Sequence, residues 1–339
     1  MEEIRRGTPL MAYNSFGIDA FAESLVHIRQ PEQLAPFHPG MPFRILGGGT
    51  NVLITSDLRG AVLRMEIDGI EVLQDNAQGV LVRAGAGQAW HGLVEWAIGR
   101  DLGGIENLSL IPGTVGAAPV QNIGAYGAEL SEVFAWAEVW DLETGRTRQV
   151  KGEEAGLGYR DSHFKGMWKG RYVITHVVLR LQRHHRPNIS YAVVREALEK
   201  RGITDPSIRE VSNAIVEIRK AKLPDPACLG NAGSFFKNCS VDARRYSELK
   251  LRFPEMPAFA QQDGSFKIPS GWLIESCGWK GLSRGQVACY EKQALVLVNI
   301  GGATGQEILA FANEISQSVF NHFGLKLEPE VNIWGDSQI

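Results

Sequence analysis

The sequence predicts a mixed α/β protein of two or three domains, and three observations support this fold class. The chain has 339 residues, more than one domain of about 100–200 residues usually holds. Hydrophobic residues make up 44% and charged residues 22% of the chain, as in ordinary globular proteins. Short apolar runs of strand character alternate with segments whose apolar residues recur at helical spacing.

The first region combines strands and one helix with many glycines. Three apolar runs of strand character each lead into a glycine cluster: Phe43–Leu46, Val80–Ala84 and Leu108–Ile111. Trp90 begins a helical pattern that Gly99 is placed to end. A hairpin is predicted from Ala135–Leu142 and Thr147–Val150, followed by a strand over Arg171–Arg183.

A polar break after Arg183 separates this region from a more helical one. We predict a short helix after Ser190 and a longer helix with Asp205 as N-cap and Pro206 as its first residue. The prolines that follow Lys222 end the longer helix, because proline cannot continue one.

The last elements are a long helix and a strand. Thr304 and Glu307 match a capping box, and Gly324 is placed to end this helix. Its predicted core face carries five apolar residues at helical spacing: Ile308, Phe311, Ile315, Val319 and Phe323. A final strand is predicted over Leu325–Ile333.

Charge and composition exclude several classes of protein. The 35 Lys and Arg residues nearly balance 38 Asp and Glu residues, which argues against nucleic-acid or anionic membrane partners. No apolar run approaches the roughly 20 residues that span a bilayer, and the N-terminal segment lacks the apolar stretch of a secretion signal. The four cysteines form no C-x-x-C pair and the eight histidines show no metal spacing. A cytoplasmic protein with reduced thiols and no metal is therefore predicted.

Two glycine-rich segments indicate a ligand bound by backbone atoms. The segment Gly47, Gly48, Gly49, Thr50, Asn51 follows a strand and can form a nest of N–H groups around a phosphate. It matches neither a Walker A loop nor G-x-G-x-x-G. The small-residue segment Ile111–Gly127 offers a surface for a large flat ligand, so a nucleotide cofactor fits both segments, although each could also be a set of tight turns.

Three polar residues stay ambiguous on local pattern alone. Arg160 is either a surface arginine or a functional cation. Ser234 follows a glycine turn, but Phe236 replaces the last glycine of a G-x-S-x-G elbow, so a hydrolase triad is disfavoured. Glu330 lies in an apolar run and is either exposed at an edge or functional.

Taken together, the motifs resemble the UDP-N-acetylenolpyruvoylglucosamine reductase family, in its longer, type I form. The matching stretches follow the family order across nearly the whole chain: Asn14–Asp19, Ile45–Leu53, Glu106–Gly127, Gly158–Ser162, Lys222–Pro226, Gly230–Asn238, Gln293–Asn299 and Leu327–Val331. The resemblance implies an α+β fold, with a vanillyl-alcohol-oxidase (PCMH)-type FAD-binding domain of two subdomains over residues 13–183. It also implies a C-terminal α/β substrate-binding domain over residues 205–325 and a final strand, 326–339, that returns to the first subdomain.

The resemblance further implies an enzyme with non-covalent FAD and NADPH as reductant, which forms UDP-N-acetylmuramate for peptidoglycan. Hydride passes from flavin N5 to the vinyl carbon, Ser234 then protonates the neighbouring carbon, and Arg160 and Glu330 stabilise the charge. NADPH and the enolpyruvyl substrate share one site, and a monomer is expected. The residues implied to bind substrate are Tyr126, Tyr191, Lys222, Asn238 and Gln293. Those implied to bind cofactor are Gly47, Gly48, Gly49, Thr50, Asn51, Ile111, Gly113, Gly116, Ala117, Ile123 and Arg219.

The sequence departs from the family pattern at two positions. Cys239 stands where proline is common, and Tyr290 stands where histidine is common.

A related oxidase would tether its flavin through a histidine in the glycine loop, but the loop has none and His91 fits the helix after Trp90. A non-catalytic flavin- or nucleotide-binding module would not need the three candidate catalytic residues.

Overall fold

The computed structural model describes residues 5–261 and 263–335, which form two compact units. Unit 1 contains the described residues up to Thr8, then Ala22–Gly49 and Arg59–Ala221. Unit 2 contains Pro9–Phe21, Thr50–Leu58 and the described residues from Lys222 onward. Across these described ranges, no helix is both long enough and apolar enough to cross a membrane.

An antiparallel central sheet organises unit 1. Its strands lie in the spatial order Arg146–Lys151, Phe134–Asp141, Tyr172–Arg183, Gly79–Gly85 and Ile70–Asn76, and Leu102–Gly103 also pairs with the middle strand. The middle strand is buried on both faces from Val173 to Leu179. The predicted hairpin and the predicted strands at Val80–Ala84 and Arg171–Arg183 are confirmed to within one or two residues.

Smaller elements complete unit 1. A second sheet has the strand order Arg5–Pro9, Phe21–Ile28, Leu58–Met65 and Phe43–Leu46, and Gly124–Ala125 pairs with Ala128–Glu129. The α-helices are Trp90–Ile98, Gly152–Ala155, Ala192–Glu199 and Ile208–Lys222. Short 3-10 turns of unit 1 lie at Pro31–Leu34, Glu106–Leu108, Val115–Ala117, Pro119–Gln121 and Leu130–Glu132, whereas Met11–Tyr13 is a 3-10 turn of unit 2. The first helix is confirmed: Trp90 is buried, its Nε1 donates to Leu108 O at 2.9 Å, and Gly99 is its C-cap.

The start of the Ile208–Lys222 helix differs from the prediction. Ser207 Oγ accepts from Glu210 N at 3.3 Å, and Glu210 Oε2 accepts from Ser207 N at 2.8 Å. This reciprocal capping box satisfies two N-terminal groups, so Ser207 rather than Asp205 is the cap. The helix packs against Ala192–Glu199 through an apolar cluster that includes Val211 and Ile215. The compact unit that contains this helix extends to Ala221, whereas the predicted domains are separated between residues 183 and 205; the domain bounds stay a prediction.

Unit 2 is built from small sheets and three helices. One sheet has the order Gly230–Ser234, Val296–Asn299, Val287–Cys289 and Ser283–Arg284, and another Cys239–Val241, Phe266–Ile268 and Phe259–Ala260. The helices are Ala243–Arg252, Ser270–Ser276 and Gly305–Phe323. The last helix confirms its prediction, because Thr304 and Glu307 form the capping box, all five core-face residues are buried, and Gly324 ends it at φ 65°.

Two predicted strands are wrong. Of Leu325–Ile333, only the end is strand: Asn332–Trp334 pairs in parallel with Val52–Ile54. Pro329 has no N–H to continue a ladder and forms only an isolated bridge. Residues 108–111 do not form a strand either, because Leu110 adopts φ 56°, a left-handed conformation incompatible with one.

Candidate active site

The glycine loop lies against a second glycine-rich segment of unit 1. A Cβ placed on Gly47 would lie 2.7 Å from Thr114 Oγ1 and 3.3 Å from Ala117 Cβ. A Cβ placed on Gly116 would lie 2.5 Å from the Ala86 Cβ. Real Cβ atoms essentially never come as close as 2.7 or 2.5 Å, so glycine at positions 47 and 116 permits these approaches to Thr114 and Ala86. Gly49 and Gly113 add left-handed turns, at φ 68° and 114°.

An unpaired hydroxyl lies where these segments meet. Thr114 Oγ1 is buried and has no hydrogen-bond partner within the residues that the structure describes. A buried polar atom without a partner is costly, so a polar ligand that supplies one is favoured. An unpaired buried hydroxyl between two glycine-rich segments therefore fits a nucleotide cofactor such as FAD. Ile123 belongs to the core of unit 1, and Ile111 packs on its edge.

Arg160 is held in an unusual backbone conformation by unit 1. Its φ is 52°, a left-handed value that is uncommon outside glycine. The guanidinium donates from Nη2 to Gly124 O at 2.6 Å and from Nη1 to Asn122 O at 3.4 Å. Such strain persists only where the surroundings enforce it, and it is common at functional sites. The side chain is thereby tied to the glycine-rich segment.

Asn122 is a buried residue beside Arg160 that no sequence motif had indicated. It is fully buried, and its Nδ2 donates to Gly158 O at 3.1 Å and to Glu129 Oε2 at 2.9 Å. Its Oδ1 accepts from Ser131 N at 2.9 Å. One amide thus links the turn that carries Arg160 to the segment that the guanidinium contacts. No local pattern identifies it, since asparagine in a small-residue run is usually a turn residue.

Tyr126, Tyr191 and Arg219 form a second group in unit 1. The two tyrosine rings meet edge to face, with centroids 5.5 Å apart and planes at 84°. Arg219 Nε donates to Leu110 O at 3.2 Å, and its charge acts on the hydroxyl of Tyr126. Burial raises the pKa of Tyr126 despite the nearby Arg219 charge, and burial lowers the pKa of Arg219. At neutral pH the pair is therefore a neutral phenol beside a cation.

A β-bulge places Ser234 in unit 2. Asn231 pairs with Val298 and Ser234 with Val296, so the serine strand carries one extra residue. Gly233 absorbs it at φ 68°. Bulges change the direction of the next side chain, and here that side chain is the half-buried Ser234.

Glu330 lies beside the end of the same strand in unit 2. Its N–H donates to Phe235 O at 2.8 Å, and its carbonyl accepts from Asn51 Nδ2 at 3.3 Å. Asn51 O in turn accepts from Asn332 N at 3.1 Å. The residue that the resemblance assigns to cofactor binding, Asn51, therefore also fixes the backbone of Glu330. Glu330 is half-buried and lies outside a regular strand, which corrects its predicted setting.

The remaining predicted substrate residues lie elsewhere in unit 2. Asn238 Oδ1 accepts from Ser270 N at 3.1 Å, and Gln293 Oε1 accepts from Leu295 N at 3.4 Å. Lys222 is exposed at the end of its helix. Both amide oxygens are thus oriented by neighbouring backbone N–H groups. Cys239, one of the two departures, opens a strand that pairs with Ile268, so that turn is held without proline.

The predicted site residues fall into two sets, one in each unit. Unit 1 contains Gly47, Gly48, Gly49, Ile111, Gly113, Gly116, Ala117, Ile123, Tyr126, Arg160, Tyr191 and Arg219. Unit 2 contains Thr50, Asn51, Lys222, Ser234, Asn238, Gln293 and Glu330. The individual roles of these residues stay predictions.

Comparison with known proteins gives full-length matches. The profile of the UDP-N-acetylenolpyruvoylglucosamine reductase C-terminal domain matches residues 225–334, and that of an FAD binding domain matches residues 33–151. The chain is 48% identical over 337 residues to the UDP-N-acetylenolpyruvoylglucosamine reductase of Pseudomonas aeruginosa, covering 98% of this chain and 99% of that protein. It is 46% identical over 329 residues to the enzyme of the same name from Burkholderia multivorans, covering 95% and 94%.

Solved structures agree on the fold. The reductase of the same name from Thermus caldophilus superposes with a TM-score of 0.67 at 24% identity, covering 99% of this chain and all of that one. 6-Hydroxy-D-nicotine oxidase from Arthrobacter nicotinovorans gives a TM-score of 0.52 at 13% identity, covering 96% and 87%. The predicted fold class, a PCMH-type FAD-binding domain with a C-terminal substrate domain, is confirmed.

Proposed function

This chain belongs to the UDP-N-acetylenolpyruvoylglucosamine reductase family, and from that premise we propose how its residues serve the reaction. It is an FAD-dependent oxidoreductase that uses NADPH to reduce UDP-N-acetylenolpyruvoylglucosamine during peptidoglycan precursor synthesis. The observation that carries this activity is 48% identity to a reductase of that name over 98% of the chain. FAD, when bound, supplies the hydride that is added to the enolpyruvyl double bond.

Arg160 is proposed to bind the substrate carboxylate. Negative charge develops there and on the adjacent carbon as hydride is added, and a planar cation that is already oriented lowers the energy of that state. The hydrogen bonds to Gly124 O and Asn122 O support this role, because they fix the guanidinium before substrate arrives. Glu330 is proposed to carry a proton and hydrogen-bond the same carboxylate, since an ionised carboxyl group would repel it.

Ser234 is proposed to donate the proton that completes the reduction. A hydroxyl is a weak acid toward water but an adequate one toward a carbanionic carbon within hydrogen-bond reach. The β-bulge at Gly233 supports this role, because it sets the direction of the serine side chain. The resulting alkoxide recovers a proton from solvent.

Five further residues are proposed to take part in substrate binding. Tyr191, Lys222, Asn238 and Gln293 bind the diphosphate and sugar of the UDP moiety, and Tyr126 lies beside Tyr191. NADPH and substrate use one site in turn, and the enzyme works as a monomer in the cytoplasm. The four free cysteines of the described residues support a reducing compartment.

Stopped-flow kinetics of Ser234→Ala tests this mechanism. Flavin reduction by NADPH needs no proton from this hydroxyl, so its rate should stay within about twofold of wild type. Reoxidation by the enolpyruvyl substrate should slow by roughly 10²-fold or more, as for a lost general acid. Ser240→Ala is the matched control, because Ser240 is exposed on a neighbouring strand of the same unit.

Each outcome decides a specific role. Equal slowing of both half-reactions would mean that Ser234 supports the fold or the cofactor instead of donating a proton. Unchanged reoxidation would assign the proton to another group. Cysteine at position 234 should restore part of the rate, since a thiol is the stronger acid at nearly the same place.

A further inference from the structure

The segment of residues 184–191 joins the central sheet of unit 1 to the helix that begins after Tyr191. Tyr191 is half exposed and contacts the ring of Tyr126 edge to face. An exposed ring on a connecting segment can adopt many conformations, and restricting it to one on binding costs conformational entropy. What holds this segment therefore determines how well the tyrosine is placed before substrate arrives.

The first anchor of the segment is an ion pair with a buried carboxylate. Glu106 is only 2% exposed, and its Oε1 lies 3.1 Å from His185 Nε2. Its Oε2 accepts from Gly104 N at 2.7 Å. Burial opposes ionisation of Glu106, but the hydrogen bonds from His185 and Gly104 outweigh it and lower its pKa. The bond to Glu106 raises the pKa of His185, and the carboxylate of Glu132 acts in the same direction.

The second anchor is a pair of asparagines. The buried Asn107 donates from Nδ2 to Asn188 O at 2.8 Å and to Tyr126 O at 2.9 Å. Asn188 Nδ2 returns a bond to Gly127 O at 2.8 Å. Asn107 thus links the backbone at Tyr126 to the segment that ends in Tyr191. Glu106 and Asn107 are consecutive, so one short turn holds both anchors.

We propose that Glu106 and Asn107 are positioning residues that hold the 184–191 segment so that Tyr191 is ready to bind the substrate diphosphate. The ion pair between His185 and Glu106 is the contact of this segment that can be released. This rests on the proposed function of Tyr191. Neither residue touches the reacting atoms. Protonated His185 keeps the segment closed, and loss of that proton loosens it.

Replacing His185 tests the anchor while leaving the buried Glu106 and Asn107 in place. In His185→Ala, the KM for the enolpyruvyl substrate should rise about tenfold, while flavin reduction by NADPH stays near wild type. His185→Gln keeps a donor toward Glu106 and should restore most of the affinity. His27→Ala is the matched control, because it breaks another histidine–carboxylate pair of unit 1, His27 with Glu66 at 2.7 Å.

A double-mutant cycle with Tyr191→Ala distinguishes positioning from general stability. If His185 acts through Tyr191, the double variant binds substrate no more weakly than Tyr191→Ala alone. If the losses of substrate affinity in the two single variants instead add up in the double variant, the proposal is overturned. Turnover by the wild-type enzyme tests the reductase function separately. The KM of the wild-type enzyme for the enolpyruvyl substrate should also rise as the pH increases through the raised pKa of His185. This rise should be absent in His185→Gln. The same pH dependence of KM in both proteins would contradict the proposal.

Discussion

Replacing Gly116 by alanine tests the close backbone approach on which the proposed cofactor site depends. The added Cβ would lie 2.5 Å from Ala86 Cβ, 3.0 Å from Ala86 Cα and 3.1 Å from Ala86 O, whereas ordinary contact begins at 3.4 Å. One segment must therefore move by about 1 Å. Ala86 cannot move freely, because its N–H donates to Thr175 O at 2.8 Å and its carbonyl accepts from Gly116 N at 2.9 Å. Overpacking of this kind costs about 1–3 kcal/mol.

That cost predicts a measurable fall in stability and cofactor content. At about 2–4 °C of Tm for each kcal/mol, a cost of about 1–3 kcal/mol means that Gly116→Ala should melt roughly 2–12 °C below wild type. The displacement reaches Ala117, so less FAD should remain bound after gel filtration, as measured by the flavin absorbance per protein.

A second glycine of unit 1 provides the control. Gly92 lies inside the Trp90–Ile98 helix, and the nearest atom to an added Cβ is the flexible Gln88 Nε2 at 3.4 Å. Gly92→Ala should keep its FAD and gain about 0.5–1 kcal/mol from helix propensity. If Gly116→Ala instead melts with wild type and retains full flavin, the close approach does not constrain the site.

Two further predictions concern titration and thiol reactivity. Hydrogen bonds from His176 and then Arg83 lower the pKa of Glu138 from 4.5 to about 2, so its stabilisation is present above pH 4.5 and is lost as the pH falls toward 2. In Glu138→Gln, the free energy of unfolding, measured by circular dichroism, should depend less steeply on pH over that interval. The same pH dependence as in wild type would contradict the assignment. Burial raises the pKa of Cys289 to about 11, so at pH 8 Ellman's reagent should react fastest with exposed Cys228, and Cys228→Ser should remove the fast phase. A fast phase that survives would refute this order.

How far the sequence predicts the fold depends on how local the determining contacts are. The Gly305–Phe323 helix is predicted correctly because its capping box, apolar spacing and terminal glycine all act within a few residues. The cap at Asp205 is wrong because Ser207, two residues on, has a glutamate at the reciprocal position. The strand over Leu325–Ile333 fails for a different reason, since its true extent depends on a partner, Val52–Ile54, far back in the chain.

The candidate site follows the same rule. Glycine clusters are visible in the sequence, and they indicate a backbone-lined ligand before any comparison is made. Arg160, Ser234 and Glu330 are ambiguous on local pattern, and only the resemblance assigns them roles. Asn122 and Asn107 could not be found this way, because their partners Gly158 and Asn188 lie 36 and 81 residues away.

The parallel pairing of Asn332–Trp334 with Val52–Ile54 has a consequence for the newly made chain. The earlier strand is buried in the finished unit, yet its partner is synthesised roughly 280 residues later. At about 5–20 residues per second, the ribosome needs some 15–60 s to cover that distance. Throughout this interval an apolar strand edge is available for pairing with other nascent chains, which is the situation that favours aggregation. The last strand of unit 2 to be synthesised is therefore the one that removes this edge from the reach of other chains.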